Sequence, residues 1–350
     1  MLAINLEYIF RVSIFQQFLP GPALHGFDRP LHALLQVFVE LKALAVFSLL
    51  FGLGLAFQHE RLANQPRRTL LLVRRMVALL GFGLIHLYLI WNGDILTEYA
   101  VAGLLVLPFL WLPTWLVVLA ALACLAFYLA MPFLPPIVTW PSQAWFAEHM
   151  QMANRIYSSG SYREVLAFRI MEMPGFDVLD TYIFPRTVGL FLVGIAAWRL
   201  RVVEFAQRQG RRLWWLSLFA IAAAVPLTLA KRAPYEHLGT IVLALSYSAL
   251  VLGLASTPAR RWLGWAEPVG RMAFTNYLAQ SVILGFVFYG YGLGLFGKLT
   301  LTEGLAIVIA LYVAQVAFSR WWLNRFAYGP IEWLWRALTY GAWPRWRLAT

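Results

Sequence analysis

Three ionisable side chains fall where an apolar surrounding makes them costly: His86, Asp94 and Glu98, in the segment GLIHLYLIWNGDILTEYAVAGLL. An imidazole takes a proton from a hydroxyl or amine near neutral pH, provided a partner fixes its tautomer. Asp94 or Glu98 would supply that partner, since a carboxylate accepting from the ring stabilises its protonated form. The set therefore suits group transfer to a hydroxyl or amine acceptor. Plainer roles stand beside it. His86 can pin two helices together, and Asp94, just before Ile95, reads as a helix N-cap. Glu98, one turn further on, sits either at a solvated rim or in a cavity.

Upstream lie Arg67, Arg68, Arg74 and Arg75. Eleven residues separate Arg75 from His86, which is about 16 Å along a helix and within about 20° of the same face. Glu40 and Lys42 interrupt another apolar run, and at i and i+2 they point to different sides, so each needs a partner elsewhere. That partner is structural or a substrate. GRMAFTNYLAQS (270 to 281) places Asn276 and Gln280 on one face, for joining helices or for a ligand, and sets Arg271 at a helix start suited to phosphate. In the tail YGPIEWLWRALTYGAWPRW, Trp and Arg alternate as in a headgroup-zone helix, with Glu332 and Arg336 paired at i,i+4. Gly52 and Gly54 read as packing only.

These residues need elements to carry them, and composition says which. Hydrophobic residues make up 61% of the 350-residue chain, against roughly 45 to 50% in soluble domains. The expectation is an all-α polytopic transmembrane bundle forming a single domain, 1–350, of about ten helices: near 2–19, 31–57, 70–91, 95–111, 113–131, 181–198, 213–230, 238–255, 271–289 and 301–323. An amphipathic extracytoplasmic segment is expected over 140–180 and an interfacial cytoplasmic tail over 328–350. Segments 58–75, 199–212, 256–271 and 320–350 hold 18 basic residues, and the alternate segments 20–30, 132–180, 231–237 and 290–300 hold seven. The first set is then cytoplasmic, with both termini inside.

The net charge of +12 is accounted for by topology and by attraction to anionic lipid headgroups, so no nucleic-acid partner is expected. Cys124 is the single cysteine, which excludes an intrachain disulfide and a cysteine-rich metal site; no metal is expected. The first run has no basic leader or small-residue cleavage site and carries Glu7 and Arg11, so a cleavable signal peptide is not expected.

The order K-x-x-x-x-FSLLFGLG, paired arginines, GLIH, W-x-GDIL-x-EYA, GRMAFTNYL-x-QS and GPIEWLWR, from Lys42 to Tyr340, resembles the YeiB family of bacterial inner-membrane proteins. Members of that family usually open with Asp-x-x-Arg-Gly on a first helix, whereas MLAINLEYI looks like the second half of that helix, so a late start or loss of the motif is expected. The resemblance implies kinship with transmembrane acyltransferases, the heparan-glucosaminide acetyltransferase and acyltransferase-3 groups, and with it an inner-membrane location. It implies acyl transfer from cytoplasmic acyl-CoA to a hydroxyl or amine acceptor, such as a glycan or lipid-linked molecule. Acyltransferase-3 proteins carry Arg, ten residues, then His; Arg75 and His86 repeat that spacing on a different helix. In that scheme His86, Asp94 and Glu98 are catalytic, Arg74, Arg75, Arg271 and Asn276 hold acyl-CoA, and Lys42, Glu40 and Gln280 meet the acceptor. The alternatives are a transporter or flippase using the same buried charges as a proton relay, and a non-enzymatic scaffold.

Overall fold

The computed structural model describes residues 2–19 and 24–348. Its helices are α1 (Asp28–Phe38), α2 (Lys42–Arg61), α3 (Arg68–Ile85), α4 (Leu96–Val106), α5 (Thr114–Ala130), α6 (Gln143–Ser159), α7 (Tyr162–Arg199), α8 (Val202–Leu229), α9 (Tyr235–Ala255), α10 (Ala273–Phe288), α11 (Leu301–Leu323) and α12 (Pro330–Tyr340). Among the described residues, seven stretches are long and apolar enough to cross a bilayer, and Leu96–Leu110 and Ala273–Phe288 are shorter apolar helices. Lipid cannot satisfy backbone polar groups, so a chain this apolar closes them within helices. This is a membrane protein built as an all-α bundle.

Local chemistry sets several ends. Ser161 and Glu164 form a capping box before α7, Thr300 and Glu303 another before α11, and Ser142 accepts from Trp145 N at the start of α6. Each box answers backbone N–H groups that the first turn leaves unpaired. Pro330 opens α12 and Gly341, at φ 70°, closes it, the usual asymmetry of helix ends.

Three expected boundaries are corrected. The helix expected over 2–19 is a four-residue turn, Leu2–Asn5, then a wide turn, Leu6–Phe10, and a 3-10 stretch, Ile14–Phe18. Its Ser13 side chain takes Phe15 N, a local bond that competes with a continuous helix. The helix expected over 31–57 breaks at Leu41, whose φ is 57°, and the freed carbonyl of Gln36 accepts from Lys42 Nζ at 2.8 Å. The polar segment 140–180 is divided: α6 is separate, and the rest fuses with the span expected at 181–198 into the 38-residue α7, straight through Pro174 and Pro185. At 1.5 Å per residue α7 is about 57 Å long, far more than a bilayer core.

α7 is the central strut, packed on α2 and α5. At its crossing with α2 a side chain is impossible: a Cβ on Gly52 would meet Phe191 O at 2.0 Å, and one on Gly194 would meet Leu49 O at 2.2 Å. Gly54 meets nothing within 4 Å, so of the two glycines only Gly52 is a packing position. The basic segments gather at one end of the bundle. There Trp198 Nε1 donates to Glu60, Arg199 donates to the carbonyls of Phe109, Leu110 and Leu112, and Arg74 donates to Leu338 O. The opposite end carries an aromatic cluster in which Phe10 stacks on Trp91 at 4.7 Å and Tyr157 on Tyr289 at 4.8 Å.

Candidate functional site

The end of α3 and the start of α4 are forced together by a glycine. A Cβ on Gly83 would lie 2.6 Å from Thr97 N, so only Gly allows this approach. Just beyond it α3 loosens into a wide turn, His86–Ile90, closed by Trp91 N donating to His86 O at 2.7 Å. Trp91 is extended, and Asn92 to Asp94 fold the chain back beside His86.

Asp94 then serves two purposes. Its Oδ2 accepts from Thr97 N at 2.7 Å, capping α4, and its Oδ1 lies 2.8 Å from His86 Nδ1. The cap and the imidazole partner, opposed readings in the sequence, are one residue. With a neutral ring and an ionised Asp94, the carboxylate fixes the tautomer in which Nδ1 carries the hydrogen and Nε2 is the acceptor. Nε2 faces the hydroxyl of Ser281, on α10, at 2.9 Å. His86 is fully buried and Ser281 is 2% exposed. Carboxylate, imidazole and serine hydroxyl in this order form the arrangement that turns a serine into a nucleophile. The Tyr277 ring lies 5.0 Å from the imidazole and Trp91 meets it edge-on at 6.0 Å, so the relay has aromatic walls.

Glu98 is not part of the relay. It lies one turn along α4 from Asp94, buried, with its carboxylate facing Thr187 and Arg186 of α7. Lys42 is buried at the α1–α2 break on Gln36 O, and Glu40 is half-buried within that break. On α10, Asn276 donates to Ser319 Oγ at 3.0 Å, Gln280 bonds Gln315 at 2.7 Å, and Gln315 returns a bond to Asn276 O. Those bonds hold α10 to α11 from Asn276 up to Gln280, the residue before Ser281.

The basic end departs furthest from expectation. Arg75 lies over the face of Trp335 at 3.6 Å, and Trp335 Nε1 donates to Arg75 O at 3.0 Å. The stripe from Arg75 to His86 is filled: Leu79 is buried, Phe82 packs edge-on against Phe274, and Phe274 against Trp335. Arg271 is exposed and ends the short helix Glu267–Arg271 instead of opening α10. The first N–H groups of α10, at Phe274 and Thr275, donate to Glu332 Oε1 at 2.7 and 3.0 Å. A carboxylate of the chain itself thus holds the helix start that the sequence offered to phosphate. Glu332 is spent on this cap, so its expected pairing with Arg336 is replaced; the Arg336 guanidinium lies over Tyr328 at 4.5 Å.

Sequence reasoning passed over three buried polar centres. Ser281 lay inside a motif that was read for its Asn and Gln. Glu172 accepts from His149 and Asn92, both at 2.8 Å, and from the Tyr157 hydroxyl. Burial and the adjacent Glu172 carboxylate push the Tyr157 hydroxyl well above its usual range, so it remains a donor. The signal was present, because Val165, Phe168, Arg169, Glu172 and Phe176 recur at helical spacing on the buried face. Arg186, fully buried in α7, is a charge inside an apolar run, the same sign that singled out His86. Among the described residues, no group of three or more His, Cys, Asp or Glu side chains is placed to hold a metal ion.

Comparison with known proteins returns no activity. The family described as a protein of unknown function (DUF418) matches residues 197–342. The uncharacterised protein YxaH of Bacillus subtilis is 37% identical over 89% of this chain and 82% of its own length. The uncharacterised protein YeiB of Escherichia coli is 30% identical over 92% of this chain and 89% of its own. No solved structure matches.

Proposed function

We propose that this chain, which belongs to the YeiB family, is a transmembrane acyltransferase whose Ser281 carries the acyl group between donor and acceptor. The observation that carries this reading is the relay Asp94–His86–Ser281, with His86 Nδ1 at 2.8 Å from Asp94 and Nε2 at 2.9 Å from Ser281. Ser281 stands eight residues along the 16-residue α10, about 12 Å from its start at the basic end. With the basic end in the cytoplasm, that depth puts Ser281 midway along α10, between the two faces of the bundle. His86 Nε2 takes the Ser281 proton as Oγ attacks the thioester carbonyl of acyl-CoA; the carbon–sulfur bond breaks and the thiolate leaves with that proton. An acceptor hydroxyl or amine then gives its proton to Nε2, attacks the acyl-serine and restores Ser281. Asp94 holds the tautomer throughout.

Arg74, Arg75 and Arg271 at the basic end are the groups for the CoA phosphates. Because Trp335, Phe274 and Phe82 fill the way inward, donor entry requires α12 to swing aside with Trp335. Purified protein in lipid nanodiscs, given acetyl-CoA and panels of hydroxyl and amine acceptors, tests the reading. Transfer by wild type and its loss in His86→Ala and in Ser281→Ala are expected; transfer that survives either change rejects it. One observation favours a second reading. His86, Asp94 and Ser281 are all buried, as the proton-carrying groups of a transporter would be in an occluded state, and solute flux in proteoliposomes without acyl-CoA would establish that instead.

A further inference from the structure

A buried guanidinium without hydrogen bonds lies outside the relay. Arg186 is fully buried, and its Nε, Nη1 and Nη2 have no hydrogen-bond partner among the described residues. A guanidinium presents five donors and stays charged, and burying it without acceptors is costly. Its surroundings are built of groups in the same condition. Tyr128 presents its ring at 5.7 Å from the guanidinium, and His237 stacks on that ring at 4.6 Å. His237 Nδ1, Thr240 Oγ1 and Glu98 Oε1 are buried without partners. Lys42, Glu98, Tyr99 and His237 are ionisable neighbours that interact electrostatically with Arg186.

A cationic line leads there from the end opposite the basic one. Exposed Lys231 donates to Gln36 Oε1 at 3.3 Å, and buried Lys42 donates to the carbonyl of the same Gln36. His237 is half-buried near the start of α9. From Glu98 to Asp94 is one turn of α4, so the Arg186 cluster and the His86 relay share that turn.

We infer that Arg186 is the centre of a buried oxyanion site, and that it receives a singly charged group, a carboxylate or a phosphodiester, on the acceptor. The planar guanidinium fork matches two oxygens of either group. Tyr128 and His237 supply aromatic surface beside it, and Thr240, one turn along α9 from His237, has an unpartnered hydroxyl. The site stands on its own geometry; its assignment to the acceptor rests on the acyltransferase reading.

The test is thermal unfolding of the full-length protein in detergent, titrated with acetate or with dimethyl phosphate, and with chloride at matched ionic strength. Saturable stabilisation by at least one oxyanion and none by chloride is expected, the effective anion identifying the acceptor group. Arg186→Lys, which keeps the charge and loses the fork, should raise the half-saturating concentration at least about tenfold. Absence of a saturable response, or an Arg186→Lys protein that titrates like wild type, overturns the site. If Arg186→Lys does not fold, His237→Phe decides: weakening of threefold or more supports the site, and an unchanged titration overturns it. Neither readout depends on acyl transfer. A response from a protein that transfers no acyl group keeps the site and removes its acceptor.

Discussion

His86 and Arg75 stand on one stripe of α3, eleven residues apart, and the two ends of that stripe are built in opposite ways. At His86 both ring nitrogens are fixed by directional bonds, to Asp94 and Ser281. At Arg75 the guanidinium rests on the face of Trp335, and the tail helix α12 covers the position. Between them lie Leu79, Phe82 and Phe274, closely packed. Helical spacing places two side chains on one face; only the neighbouring helices decide whether that face is a channel or a contact.

The strongest way to break the contrast is at its polar end. His86→Ala and Ser281→Ala should each lower thiol release from acetyl-CoA by about 10³-fold or more, since members of such a relay act as a unit. Asp94→Asn separates its two duties. Asn still caps a helix, so the melting temperature should hardly move, whereas loss of the fixed tautomer should lower transfer by about 10²-fold. An unchanged rate in Asp94→Asn would make Asp94 a cap and nothing else.

Two changes address what holds the ends in place. Gly83→Val drives a side chain into Thr97 N and should cost about 1–3 kcal/mol of stability, with transfer lost as His86 and Asp94 separate. Denaturant unfolding checks the first and thiol release the second. Glu332→Ala uncovers the N–H groups of Phe274 and Thr275 and should cost about 1 kcal/mol. Limited proteolysis should then cut the tail around α12 sooner than in wild type; equal cutting would mean that Trp335 alone holds the tail.

Hydropathy made the bundle legible because lipid leaves the backbone no other solution, and the runs that became α3, α5, α9 and α11 were found within a few residues. The errors have physical causes. Pro174 and Pro185 are helix breakers in water, yet α7 passes through both under tertiary packing. Leu41 adopts a left-handed turn that no Gly announced. The start 2–19 is apolar enough for a helix but satisfies its backbone locally. In the site, His86 was legible as a costly group, and Asp94 as a cap. Their meeting was not, because it depends on Gly83 and on a wide turn. Ser281 is small, neutral and common in membrane helices, so nothing in its type separates a nucleophile from a packing residue; only the 2.9 Å contact to Nε2 does.

The central claim is that Ser281 becomes acylated. Mass spectrometry of peptides from wild-type protein incubated with acetyl-CoA and no acceptor tests it directly. An acetyl group on Ser281 that is absent from His86→Ala is the predicted result. Transfer to acceptor by a wild-type protein that never bears an acyl group on Ser281 would contradict it.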